Sequence, residues 1–167
     1  MDLDPSRLRR GEWLAGVGAA VLLAFMFLLP WYGVSGSAGA AAVTSGGSTS
    51  LNAWHSLTTL RWLMLVTIVA ALSLVFFQAT RRAPALPVSL SVIVTVLGGV
   101  TVLTLIYRVL INAPGPDSLF DPRIGAFLGL VAGCATALGA FASLRQEGLS
   151  PRDARTAIPT VTLTGED

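Results

Sequence analysis

Two arginines near the predicted ends of apolar runs are the residues best suited to bind a ligand. Arg61 precedes the second run and Arg108 ends the third. A guanidinium at the edge of a membrane is costly unless a carboxylate or a phosphate neutralises it. Asp117 and Asp121 follow Arg108 in the next loop. Two hypotheses follow: an Arg108–carboxylate clamp that closes this end, or an anionic headgroup or lipid-linked sugar phosphate held by both arginines.

Aromatic residues accompany these arginines along the sequence. They are Trp31, Tyr32, Trp54, Trp62 and Tyr107. Such side chains are typical of the belt at a membrane interface, where an apolar ring and a polar edge are both accommodated. The alternative is that the loop after Tyr32 folds back as a lid and uses Trp31, Trp54 and His55 to hold a lipid or a partner.

Other chemistry has little support in the sequence. The single cysteine, Cys134, cannot form an intramolecular disulfide or a redox pair, and one histidine cannot form a bis-histidine haem site. There is no phosphate-binding loop, dinucleotide fingerprint or nucleophile elbow. Glu12 lies beside Arg9 and Arg10, where we expect an interfacial charge partner rather than a proton carrier. We therefore predict no cofactor, no metal site and no enzymatic activity.

The composition is typical of a polytopic membrane protein. The chain has 167 residues, of which 53% are hydrophobic and only 12% are charged. The charges lie in short clusters between long uncharged runs, which is not the pattern of a water-exposed surface. The net charge of +2 is too small and too scattered to indicate nucleic-acid binding.

Four uncharged runs are long enough to cross a hydrocarbon core, which needs roughly 20 helical residues. They are 13–32, 62–79, 86–107 and 124–144. Backbone groups in lipid must bond within their own segment, so we predict four helices in an antiparallel, all-α bundle. Eight arginines fall on one side of this arrangement and three on the other, which predicts that both termini are cytoplasmic.

The predicted organisation is therefore a short cytoplasmic segment, a four-helix domain and a tail. The segment is 1–12, the transmembrane domain 13–145, and the disordered cytoplasmic tail 146–167, with exoplasmic loops at 33–61 and 108–123. The arginines before the first run and the small residues after it imitate an export signal. That run is longer than a typical signal core, however, so we expect an uncleaved anchor.

Small residues at four-residue spacing predict close helix packing. Gly125, Gly129 and Gly133 form one ridge in the fourth run, and Gly16, Ala20 and Ala24 repeat the spacing in the first. Such ridges let helix backbones approach closely within a membrane. The ridges pack the bundle internally, or the fourth run associates with a second copy of the chain.

The FLLPWY end of the first run and the tryptophan-bearing loop after it resemble the small, uncharacterised four-helix integral membrane proteins of GC-rich bacteria. The resemblance covers the spans and loops but not the tail, and it implies no activity. We expect a multi-pass protein of the bacterial inner membrane that is a scaffold or accessory subunit for another membrane protein. The alternative is a small transporter or lipid-handling protein with its site at the exoplasmic helix ends.

Overall fold

The structure is a computed structural model that describes residues 8–34, 36, 39, 41, 44, 45, 49–80, 87–112 and 120–148. Asp117 and the tail beyond residue 148 lie outside the described residues. Four helices dominate the described part: α1 (Arg10–Leu28), α3 (Leu60–Thr80), α4 (Pro87–Ile106) and α5 (Ile124–Gly148). Each is long and apolar enough to cross a membrane, α4 when it is taken together with the five helical residues that continue it, Tyr107–Ile111. The prediction of a mostly helical chain with four such helices is confirmed.

The ends of α1 follow from its sequence. The Glu12 carboxylate in the first turn accepts a hydrogen bond of 3.0 Å from the Arg9 backbone N–H, and an acid is favourable at this end of a helix. The charged neighbours of Glu12 predict a position at the membrane interface. In the structure its side chain is buried, with only 2% exposure. The helix ends at Leu28, because the residue before Pro30 is disfavoured in helical conformation.

The α4 helix begins with Pro87, which tolerates the first helical position because it has no N–H to satisfy. It continues as a π-helical turn at Tyr107–Ile111, which ends where the Asn112 N–H donates to the Tyr107 carbonyl at 2.8 Å. The helical segment thus extends past residue 107, the predicted end of the third run. Arg108 consequently lies inside a widened helical turn and not in a loop.

The four helices form a ring in which α1 and α4 each contact both α3 and α5. Gly11 of α1 packs against the backbone of Ser143 near the end of α5, and Gly18 packs against Thr136, closer to its start. The two helices therefore run in opposite directions. Between α3 and α4, the Thr67 and Thr101 hydroxyls are hydrogen-bonded at 2.7 Å. Polar side chains commonly link helices in this way within membranes.

The contact of α1 with α5 uses a different face from the predicted one. Gly16 packs against Val75 of α3, Ala20 is exposed and Ala24 is half-buried. The residues of α1 that meet α5 include Gly11, Ala15 and Gly18, whose spacing also places them on one side of a helix. A helix rich in small residues offers more than one smooth face, so the spacing alone does not select the face that is used.

A small antiparallel sheet closes one end of the ring, which we call the capped end. Its strands are β1 (Tyr32–Val34), β2 (Ser50–Leu51) and β3 (Phe120–Pro122), in the order β2-β1-β3. A short helix, α2 (Ala53–Ser56), follows β2 and leads into α3. The sheet joins the segment after α1 to the segments before α2 and α5. The sequence predicted only helices. The sheet is an additional element, and it links the two predicted loops.

The helices are apolar on the outside as well as the inside. Buried residues such as Leu22, Met26, Met64 and Ile68 form the core. Large apolar side chains are also exposed on each of the four long helices, for example Leu14, Val69, Val96 and Val131. Exposed apolar surface on this scale is unusual for a soluble monomer, and it suits helices surrounded by lipid.

Candidate functional site at the capped end

Trp31 and Tyr32, at the start of β1, are fully buried, each with 0% exposure. The Trp31 indole N–H donates to the Phe25 carbonyl at 2.8 Å, and the Tyr32 hydroxyl donates to the Arg108 carbonyl at 3.1 Å. Burying these polar groups is tolerated because each has a partner within the chain. Both residues, which the sequence suggested as ligand contacts or belt residues, therefore join α1, the sheet and α4 to one another.

The electrostatics of Tyr32 follow from its position after the end of α1. Burial raises the pKa of Tyr32 from 10.0 to about 12, and the nearby positive charge of Arg108 opposes this increase. Burial disfavours the phenolate because an anion loses its hydration there. Tyr32 is thus a neutral hydrogen-bond donor at physiological pH, and it fixes the backbone of the π-helical turn that carries Arg108.

Arg61 is held by aromatic rings. Its guanidinium carbon lies 5.1 Å from the ring centre of Trp54 and 5.6 Å from that of Trp62. Its Nη1 also donates to the Trp54 carbonyl at 3.2 Å. Trp54 in turn packs against Phe27 at the end of α1, with ring centres 5.4 Å apart. Because cation–π contacts are favourable within about 6 Å, Arg61 fastens α2 to the start of α3.

Arg108 lines a separate cleft between the start of α3 and the end of α4. The cleft has a volume of about 180 Å³. Its lining includes Thr58, Thr59, Leu60, Leu63, Thr104 and Arg108. The wall is mainly apolar because of the leucines, and three threonines and one arginine supply its smaller polar part. Arg61 is absent from this lining, so the structure does not bring the two arginines together in one cleft.

The predicted acidic partners of Arg108 are placed only in part. Asp121 lies in β3, where it pairs in register with Gly33. Asp117 is outside the described residues. No ion pair between Arg108 and a carboxylate is found in the described part of the chain. The carboxylate clamp stays a prediction.

The remaining predicted residues have local roles. The Asn52 side chain accepts from the His55 N–H at 3.1 Å and caps α2, so His55 lies in a helical turn, and its use in a lid stays a prediction. Tyr107 is about half exposed, and its hydroxyl accepts from the Asn112 side-chain amide at 3.3 Å. Within the described ranges, no three His, Cys, Asp or Glu side chains are grouped to hold a metal ion.

The sequence did not single out Thr58 and Thr59 as part of a site. Threonines before a helix are common, and their only signal was the position of two hydroxyls next to the predicted start of the second span. No family model matches this chain, and no curated protein or solved structure matches it.

Proposed function

We propose that the protein is a non-enzymatic integral membrane protein that serves as a scaffold or accessory subunit of a membrane complex. In this proposal the four helices form an antiparallel bundle in the bacterial inner membrane. Both termini are cytoplasmic and the capped end is exoplasmic. The orientation rests on the arginine distribution, with eight residues on the side of the termini and three on the capped side.

The observation that carries the proposal is the internal use of the chemically capable groups at the capped end. The polar atoms of Trp31 and Tyr32 bond to carbonyls of the same chain, and the Arg61 guanidinium lies over two indole rings. These residues tie three separate segments into one rigid cap. A rigid cap on an apolar bundle suits a protein that presents a fixed surface to another membrane protein.

Contacts of the glycine ridge favour a partner other than a second copy bound through α5. Gly125 packs against Pro30, Gly129 against Trp31, and Gly133 against Leu105. Each ridge residue is therefore used inside the same chain. The partner would meet the exposed apolar sides of the helices, outside this ridge.

Photo-cross-linking in the native membrane tests the accessory role. A benzophenone amino acid is introduced at one exposed position on each long helix: Leu14, Val69, Val96 and Val131. We expect one position, or two on neighbouring helices, to yield a protein adduct of a single defined mass. The same variants kept in the dark are the control. Adducts with lipid alone at all four positions would refute a stable protein partner.

A further inference from the structure

The Arg108 cleft has the position and composition of a lipid-binding site. Arg108 belongs to the segment Leu90–Ile111, which is long and apolar enough to span a membrane. It lies about one turn before the end of that segment, where a guanidinium is costly unless an anion neutralises it. Within the described ranges no carboxylate forms an ion pair with it. The bilayer itself offers an alternative anion at this depth, the phosphate of a lipid.

The polar side of the cleft suits a phosphate. The Thr104 hydroxyl proton is used within the helix, where it bonds to the Val100 carbonyl at 2.7 Å, so the charged donors on this side come from Arg108, one turn later. Across the cleft, Thr58 and Thr59 precede the first turn of α3. The first-turn N–H groups of Arg61 and Trp62 already donate to the Leu57 and Thr59 carbonyls, so it is the Thr58 and Thr59 side chains that line this side of the cleft. Arginine can add two parallel hydrogen bonds to a phosphate.

The size and apolar side of the cleft suit a headgroup more than a whole soluble ligand. Its volume of about 180 Å³ is below the roughly 300–1,000 Å³ of pockets that enclose drug-sized molecules. Leu60 and Leu63 continue the wall along α3, away from the capped end. A molecule with its phosphate at Arg108 could therefore lay an acyl chain along these leucines.

The position of Arg108 is also fixed in advance. Its backbone carbonyl accepts the buried Tyr32 hydroxyl, and the residue lies in a π-helical turn, a distortion that is common at functional sites. A fixed backbone at this residue reduces the conformational entropy that Arg108 loses on binding. We propose that this cleft binds the phosphate of an anionic phospholipid from the outer leaflet, with an acyl chain along Leu60 and Leu63. The inference rests on the membrane placement and not on the accessory role.

Native mass spectrometry of the detergent-purified protein with equimolar phosphatidylglycerol and phosphatidylcholine tests the site. We expect the wild type to retain phosphatidylglycerol in preference to phosphatidylcholine. Arg108→Leu should lower the retained fraction about tenfold, the loss expected for a hydrogen bond to a charged group. Arg108→Lys should restore retention only in part, because lysine keeps the charge but lacks the planar fork.

Two further variants separate the site from general charge and from misfolding. Arg123→Gln removes an exposed arginine outside the cleft and should leave retention unchanged. Thr59→Phe keeps Arg108 but fills the cleft from an exposed position, so it should lower retention even if Arg108→Leu does not fold.

Three results would overturn the proposal. The first is equal retention of the two lipids, and the second is unchanged retention in both Arg108→Lys and Thr59→Phe. The third is displacement of the lipid by inorganic phosphate, since a soluble anion would then be the ligand. Selective retention without any protein adduct in the cross-linking experiment would leave this site standing and remove the accessory role.

Discussion

Replacing Gly129 by alanine should destabilise the protein, because the added methyl group would meet the indole ring of Trp31. The Cζ2 and Cη2 atoms of that ring lie closest to the position of the new Cβ, and Cε2 lies 3.1 Å from it. Trp31 has no room to move freely: it is fully buried and its N–H donates to the Phe25 carbonyl at 2.8 Å. Either the ring shifts and weakens this hydrogen bond, or α5 moves away from Trp31 and the end of α1.

The change in the free energy of unfolding follows from two destabilising contributions and one stabilising contribution. Overpacking of a filled core costs about 1–3 kcal/mol. A weakened Trp31 hydrogen bond adds about 0.5–1.5 kcal/mol. Alanine regains up to about 1 kcal/mol of helix propensity over glycine. The net loss is about 1–3 kcal/mol, which for a chain of this size lowers the unfolding temperature by roughly 2–10 °C.

Two matched glycines make the comparison decisive in a detergent-solubilised thermal unfolding assay. An added Cβ at Gly99 would have no neighbour within 4 Å, so Gly99→Ala should be neutral or stabilising. At Gly133 the nearest atom is Leu105 Cδ1 at 3.3 Å, the end of a flexible side chain, so Gly133→Ala should be nearly neutral. If Gly129→Ala unfolds at the same temperature as Gly99→Ala, the packing of α5 against Trp31 is refuted.

Two more predictions concern orientation and pH. In a Cys134→Ala background, Ser50→Cys should react with an impermeant thiol reagent in intact cells. Ser150→Cys, which is outside the described residues, should react only after permeabilisation. Labelling of Ser150→Cys in intact cells would contradict the four-span arrangement. The pKa of Tyr32 is raised by burial from 10.0 to about 12, so its stabilising contribution is complete below pH 10 and is lost as the pH rises to about 12. Tyr32→Phe should be less stable than the wild type at pH 8 by about 1 kcal/mol, because the Arg108 carbonyl loses its donor, and this difference should shrink in denaturation measurements as the pH rises above 10. A difference that stays constant with pH would contradict the buried, neutral hydroxyl.

The four long helices could be predicted because an uncharged run in lipid has few alternatives. Backbone groups there must bond locally, so length and the absence of charge were sufficient signals. The boundaries were less accurate where local bonding decides them. The α4 helix continues beyond Ile106 through a π-helical turn, and α1 ends at Leu28, before Pro30. Hydropathy alone does not indicate either of these two helix boundaries.

The sheet could not be predicted, because strands of two or three residues are too short to show alternation. Tyr32–Val34 and Phe120–Pro122 also look like loop segments when each is read by itself. Their pairing depends on α1 and α5 lying side by side, which is a tertiary property. The two ends of the first predicted loop nevertheless pair as β1 and β2.

The candidate site was predicted in its residue types more than in its arrangement. Arg108 was identified from its position at the end of an apolar run, and it does line a cleft. Arg61 was expected beside it, but Trp54 and Trp62 hold it elsewhere. A tryptophan that packs on an arginine and one that rests in an interface have the same sequence signature, so only the folded chain distinguishes them.

Synthesis of the chain must reach β3 before the capped end can close. The central strand, β1, leaves the ribosome directly after α1, but β3 emerges only after α4. Until then β1 has an unpaired edge, and Trp31 lacks its contact with Gly129. A chain arrested before its last helix would therefore carry an open cap that proteases could recognise. Because β1 pairs with a strand far along the sequence, only a chain that includes β3 can form the whole sheet.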